Sequence, residues 1–158
     1  MIYFGRRYSF SMGHRMHNPA WDDKRNRQTY GKCNNPNGHG HQYTIEVTFA
    51  AEIDPQTGFS ANLVAIDDIV KRTILDRFDH YDFNSDFAEY HDVVSSGENL
   101  ARVFWDLLAP HFPANAPLVR LRLEETEKNS FDYYGPSNLH PDAGDAHCVS
   151  NSRDWIHN

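Results

Sequence analysis

The chain is poor in cysteine: 158 residues hold two, Cys33 and Cys148. A disulfide framework needs more, so a reduced, cytoplasmic setting is expected. Long apolar runs are missing too. No stretch approaches the ~18 residues of a membrane helix, and no membrane partner is expected. The opening "MIYFGRRYSFSMGH" has neither an apolar h-region nor a small-residue cleavage site, so no secretion signal is expected. Net positive charge is also lacking. A formal charge of −7 excludes a general nucleic-acid binder.

What is present is a globular composition, 39% hydrophobic and 13% aromatic, in a length that suits one domain with a core. The charge is uneven. Residues 1–41 carry seven Lys and Arg against Asp22 and Asp23, a local +5 that leaves −12 for the remainder. Such a field attracts an anionic substrate to an otherwise acidic protein, or it is simply solvated loop charge.

Aromatic-rich "YFGRRYSFSM" reads as a strand to about Met12. Residues 13–38 show no sustained period and read as one long loop, of a length that is usually functional. In "HQYTIEVTFAAEI", Tyr43, Ile45, Val47 and Phe49 alternate with polar residues, the period of a half-buried strand. Leu63, Ile66, Ile69, Val70, Ile74 and Phe78 form one face of a helix. "FDHYDFNSDFAEYHDVV" reads as loop. A second helix follows in "SSGENLARVFWDLLAPHF", with a capping box of Ser95 and Glu98 and a stripe of Leu100, Val103, Phe104, Leu107 and Leu108. "PLVRLRLEET" and "SFDYYG" read as strands. The order ββααββ predicts an α+β domain, a four-stranded antiparallel sheet with two helices on one face. The segment 136–158 stays unassigned; its His140, His147, Cys148 and His157 match no metal motif.

The densest chemistry is in "GKCNNPNGHGHQY", Gly31–Tyr43. His39 and His41 open a strand, so both rings fall on one face. Two neutral imidazoles at this spacing reach one metal ion, and a third would complete the three-ligand set of a catalytic zinc. His14 and His17 both offer that third ring. Cys33 is either a small buried residue or a proton acceptor beside the metal.

Taken together, "FSMGHRMHNPAWDDKRNRQTYGKCNNPNGHGHQYTIEV", "EIDPQTGFSANLVAIDDIV", "FDHYDFN", "SSGENLARVFWDLL" and "RLEETEKNS" resemble the 6-pyruvoyl-tetrahydropterin synthase family over about residues 1–135. The resemblance implies zinc ligands His14, His39 and His41, with His17 a bystander. It implies Cys33 as general base, Asp79 orienting His80 for proton exchange, and Glu125 gripping the pterin, helped by Ser95 and Ser96. It implies a tunnelling fold, in which three subunits join their sheets into a barrel and two trimers stack into a homohexamer. Active sites then lie between subunits. The implied substrate is 7,8-dihydroneopterin triphosphate, a small molecule, converted with loss of triphosphate; magnesium would accompany its phosphates.

The sister 6-carboxy-tetrahydropterin synthase of queuosine biosynthesis is similar, but usually spaces its cysteine as C-x3-H-x-H. This chain has C-x5-H-x-H, which favours the pyruvoyl enzyme. A third reading is a zinc- or pterin-binding module without turnover. Three departures from the family pattern bear on substrate affinity: Gly97 stands where a hydroxyl residue is usual, Met12 and Gly13 precede the first ligand, and Tyr81 follows Asp79-His80 where Lys is common.

Overall fold

A computed structural model describes residues 1–136; the histidines and cysteine singled out in the tail lie outside these. Two long strands set the frame. β1 (Ile2–His14) and β2 (His39–Ala51) pair antiparallel from Ile2↔Ala51 to His14↔His39. Their alternation buries Phe10, Met12, Tyr43, Ile45, Val47 and Phe49 on one face. Because side chains repeat every second residue, that register carries His14, His39 and His41 on the same face, at the end of the hairpin that residues 15–38 close.

Helices cover this face. α1 (Asp23–Tyr30) lies between the two long strands in sequence. α2 (Leu63–Val70) runs through a single π turn at Lys71–Leu75 into the short α3 (Asp76–Phe78), burying Ile66, Ile69, Val70, Ile74 and Phe78. α4 (Gly97–Leu108) buries Leu100, Ala101, Phe104, Trp105 and Leu108. The Phe104 ring meets Phe10 at 5.9 Å and Phe78 at 5.3 Å between centroids, which ties both helical runs to the sheet.

The sheet has five strands and is mixed, which corrects the four-stranded antiparallel expectation. Its order is β3-β1-β2-β4-β5. β4 (Leu118–Glu124) and β5 (Ser130–Tyr133) extend it antiparallel beyond β2. The added strand, β3 (Tyr81–Asp82), runs parallel to the end of β1. Two residues cannot display a period of two, so no hydrophobic pattern announces it. Backbone bonds make it: His80 N–H donates to the Ser11 carbonyl (2.7 Å) and Phe83 N–H to that of Gly13 (2.8 Å).

The long loop is corrected as well, since it contains α1. Asp22 caps that helix by accepting from the Arg25 N–H at 2.7 Å, and Asn26 is its one buried residue, so no apolar stripe exists to be read. At α4 the cap is Ser96, which accepts from the Asn99 N–H, and not Ser95. Ser95 is buried and engaged elsewhere.

The other sheet face carries ion pairs: Arg7 with Glu124 (2.6 Å), Arg122 with Asp132 (2.6 Å), and Arg120 with Glu46. The Arg/Leu alternation of β4 is thus a charged face against a core face.

Candidate functional site

The hairpin register brings three imidazoles together. Candidate ligand nitrogens of His14, His39 and His41 all lie within 4.8 Å of one another. Their ring centroids are 4.5 to 5.2 Å apart. His17 takes no part; its Nδ1 is 3.1 Å from the Asn34 carboxamide, in the loop behind.

His14 is fully buried. Its Nδ1 sits 2.7 Å from the Ser95 carbonyl, which can only accept, so Nδ1 carries the proton and Nε2 presents a lone pair. That Nε2 and His39 Nδ1 are buried without a hydrogen-bond partner. Burial holds both rings below the ordinary histidine range, and the neighbouring imidazoles push the same way. Neutral, unpartnered, converging nitrogens are what a metal ion requires and what an empty protein core avoids.

Glu125, directly after β4, adds a carboxylate. Its Oε1 lies 3.7 Å from His14 Nε2 and 3.8 Å from His41 Nε2. With His14 neutral, the first contact is not an ion pair; the two groups instead frame a position that suits a cation. The Tyr43 hydroxyl donates to the same oxygen at 3.5 Å. Burial, with Glu125 beside it, drives the Tyr43 phenol far above its usual range, so it stays a donor. Strand alternation in the sequence marks Tyr43 only as core. The signal was available: it stands two residues beyond His41 on the same strand face.

Cys33 is half-buried in the 3-10 turn Gly31–Asn34 that follows α1. Its carbonyl accepts from Met16 N–H at 3.0 Å, and the thiol is near enough to Tyr43 to act on that phenol electrostatically. Phenol, carboxylate and imidazoles therefore form one continuous cluster, with the thiol within electrostatic reach of the phenol.

Asp79 and His80 lie at the β1 edge. Asp79 Oδ1 accepts from Ser11 N–H at 2.8 Å and faces His80 Nδ1 at 3.0 Å. His80 adopts φ +67°, the left-handed region that residues bearing a Cβ resist, and its side chain is 79% exposed. Among the described residues, no hydrogen bond joins this pair to His14, His39 or Cys33. His80 shares with His41, Ser11 and Gln42 the lining of an open depression of about 590 Å³. A second cleft of about 650 Å³, near Phe59 and Asn62, lies among none of these groups.

Ser95 and Ser96 occupy structural positions. The Ser95 hydroxyl is 2.8 Å from Asn84 Oδ1 and 2.9 Å from the Arg15 carbonyl, and Ser96 caps α4. Asn84, a hub of hydrogen bonds, carried no signal in the sequence, since an Asn in a polar loop looks like any other.

Residues 3–136 match the family model described as 6-pyruvoyl tetrahydropterin synthase. A protein of Poecilia reticulata named 6-pyruvoyl tetrahydrobiopterin synthase is 43% identical over 133 residues, covering 84% of this chain and 90% of the relative. The Homo sapiens protein of that name is 40% identical over 130 residues, 82% and 89% of the respective chains. The solved structure of Caenorhabditis elegans 6-pyruvoyl tetrahydropterin synthase superposes with TM-score 0.80 at 35% identity, covering 85% of this chain and 95% of that one.

Proposed function

The chain belongs to the 6-pyruvoyl tetrahydropterin synthase family, and we propose that it converts 7,8-dihydroneopterin triphosphate to 6-pyruvoyl-tetrahydropterin as a lyase. The observation that carries this reading is the convergence of His14, His39 and His41 beside Glu125, with Cys33 six residues before His39, in a chain whose relatives bear that name. The five-residue gap between Cys33 and His39 favours the pyruvoyl over the carboxy product.

His14, His39 and His41 would hold zinc, leaving one coordination position for substrate. Bound there, zinc supplies Lewis-acid polarisation of the substrate's side-chain oxygens, which acidifies the adjacent C–H bonds. Glu125 accepts two hydrogen bonds from the amino and ring N–H groups of the pterin, a bidentate match. Cys33 removes a proton from the activated carbon. Triphosphate departs with the C–O bonding pair, and the ring is reduced as the side chain is oxidised, so no external reductant is used. His80, oriented by Asp79, returns or relays protons at the other stage. Ser96 would border the pterin pocket while capping α4, and the buried Ser95 would serve through its carbonyl, which holds His14.

The exposed Asp79–His80 pair acts on the substrate of a neighbouring subunit in a homohexamer. The supports are the exposure of the His80 side chain, which no hydrogen bond ties to His14, His39 or Cys33 among the described residues, and the two sheet edges, β3 and β5, that single chains leave unpaired. Magnesium accompanies the triphosphate, which the basic N-terminal quarter attracts. The low cysteine content supports a reducing, cytoplasmic setting for the reaction. Among the described residues no helix is long and apolar enough to cross a membrane.

The Cys33→Ala variant tests the assignment. A synthase retains its zinc and loses turnover by roughly 10²-fold or more. A binding module without turnover would show no difference, because the wild type would already leave the substrate unchanged.

A further inference from the structure

We propose that Asn84 is a positioning residue for the metal centre, locking Ser95 to the backbone that follows His14 and thereby fixing which ring nitrogen His14 presents. The inference rests on the assignment of His14, His39 and His41 as ligands and deepens it.

Asn84 lies in the turn after β3, where its N–H donates to Asp82 Oδ1 at 3.0 Å. Its carboxamide uses its full capacity. Oδ1 accepts from the Arg15 N–H (3.1 Å) and faces the Ser95 hydroxyl (2.8 Å). Nδ2 donates to the carbonyls of Tyr90 (3.1 Å) and Val93 (2.9 Å). Both donors are used, and the oxygen accepts from the Arg15 N–H while sharing the single Ser95 hydroxyl proton with the Arg15 carbonyl.

The partners give the network its meaning. Arg15 is the residue after His14. Ser95 supplies the carbonyl that accepts the His14 Nδ1–H at 2.7 Å. One side chain therefore holds both ends of the bond that selects the His14 tautomer. The Ser95 hydroxyl, with one proton between the Arg15 carbonyl (2.9 Å) and Asn84 Oδ1, closes the ring. His14 and Ser95 are both fully buried, so no water substitutes for these contacts. The buried His14 Nε2 is left without any other partner, which is the consequence the lock produces.

The carboxamide is required, not merely a polar group. An aspartate at 84 has nearly the same shape but only accepts. It would set negative oxygens against the Tyr90 and Val93 carbonyls and spread β3 from the segment that leads into α4. The partners that orient a metal-bound histidine typically change metal affinity by about 10- to 100-fold when removed.

The test compares Asn84→Asp, Ser95→Ala and Asn26→Asp in the full chain. Asn26 is a buried carboxamide that likewise donates to carbonyls, those of Asn18, Trp21 and Asp22, but lies outside the His14 network. Zinc affinity is read by chelator competition. The His14 tautomer is read in metal-free protein from its ring 15N shifts. The expected result is zinc affinity lowered about 10- to 100-fold in Asn84→Asp, lowered in the same direction in Ser95→Ala, and unchanged in Asn26→Asp despite lower stability. The Nδ1–H signal of His14 should weaken or exchange faster in the first two alone. Unchanged zinc affinity and an unchanged tautomer in Asn84→Asp and Ser95→Ala would overturn the proposal. Should Asn84→Asp fail to fold, Ser95→Ala, which removes one oxygen, decides it. Should the wild type bind no zinc, the ligand assignment fails, while the tautomer comparison still decides the role of Asn84.

Discussion

The ring of Phe131 in β5 fills the space that a side chain at Gly97 would need: a Cβ built there meets Phe131 carbons at 2.0 to 2.6 Å. The glycine at the start of α4 is therefore matched to the aromatic across from it. Gly97→Thr should destabilise the protein by about 1–3 kcal/mol through overpacking. Adding Phe131→Leu should recover part of the loss, so the two changes are non-additive. Urea denaturation of the two single variants and the double variant checks this; additive losses would show that the contact does not limit position 97.

Glu125 touches the imidazole cluster with one carboxylate oxygen and the Tyr43 hydroxyl with the same one. In the proposed reaction its larger duty is toward the pterin. Glu125→Gln keeps the shape and removes the charge, so it should weaken pterin binding by roughly 10-fold or more, consistent with the loss of a charge-assisted pair. Zinc content should stay near the wild-type level. Calorimetric pterin titration beside metal analysis separates the two, and loss of zinc with pterin binding intact would make Glu125 a ligand instead.

Acid should act first at the histidines. His14 and His39 are held below the ordinary range by burial, so below about pH 6.5 the unfolded chain takes up protons that the folded chain refuses. Stability of the metal-free protein is therefore full above that pH and falls as the pH drops toward the depressed folded values. Zinc-loaded protein should resist the same fall until the metal is displaced by protons. Denaturation midpoints across pH 8 to 4, with and without a chelator, measure it; identical curves would contradict the neutral state of these rings.

At the far end of the sheet, Asp67 of α2 accepts from Arg6 (2.5 to 3.0 Å) and from the Tyr8 hydroxyl (2.6 Å). Burial, then the bond to Asp67, pushes the Tyr8 phenol up to about 12. A folded value above the unfolded one means this contribution is complete below about pH 10 and lost as the pH rises through 12. Tyr8→Phe should cost about 1 kcal/mol at neutral pH and flatten the alkaline decline. A difference titration of phenolate absorbance, compared with the variant, tests it.

These relationships also show what the sequence can disclose. The period-two alternation from Tyr43 to Phe49 and the helical spacing from Leu63 to Phe78 reveal β2 and the α2–α3 run, because a core writes itself into hydrophobic periods. β3 and α1 escape for opposite reasons: one is too short for a period, the other too exposed to have an apolar face. Within the site, His39 and His41 are legible from strand alternation alone. His14 and His17 are not distinguished by spacing, only by the family resemblance, and the physical basis of the difference is the contact between His17 and Asn34. The left-handed backbone of His80 and the Asn84 network depend on residues distant in sequence, which no local pattern encodes.

The central claim is that this cluster performs pyruvoyl-forming chemistry. The most direct measurement is to incubate the zinc-loaded protein with 7,8-dihydroneopterin triphosphate and weigh the pterin product by mass spectrometry. The account predicts 6-pyruvoyl-tetrahydropterin with release of triphosphate. A carboxylated tetrahydropterin with acetaldehyde, or unchanged substrate beside folded, zinc-bound protein, would contradict it.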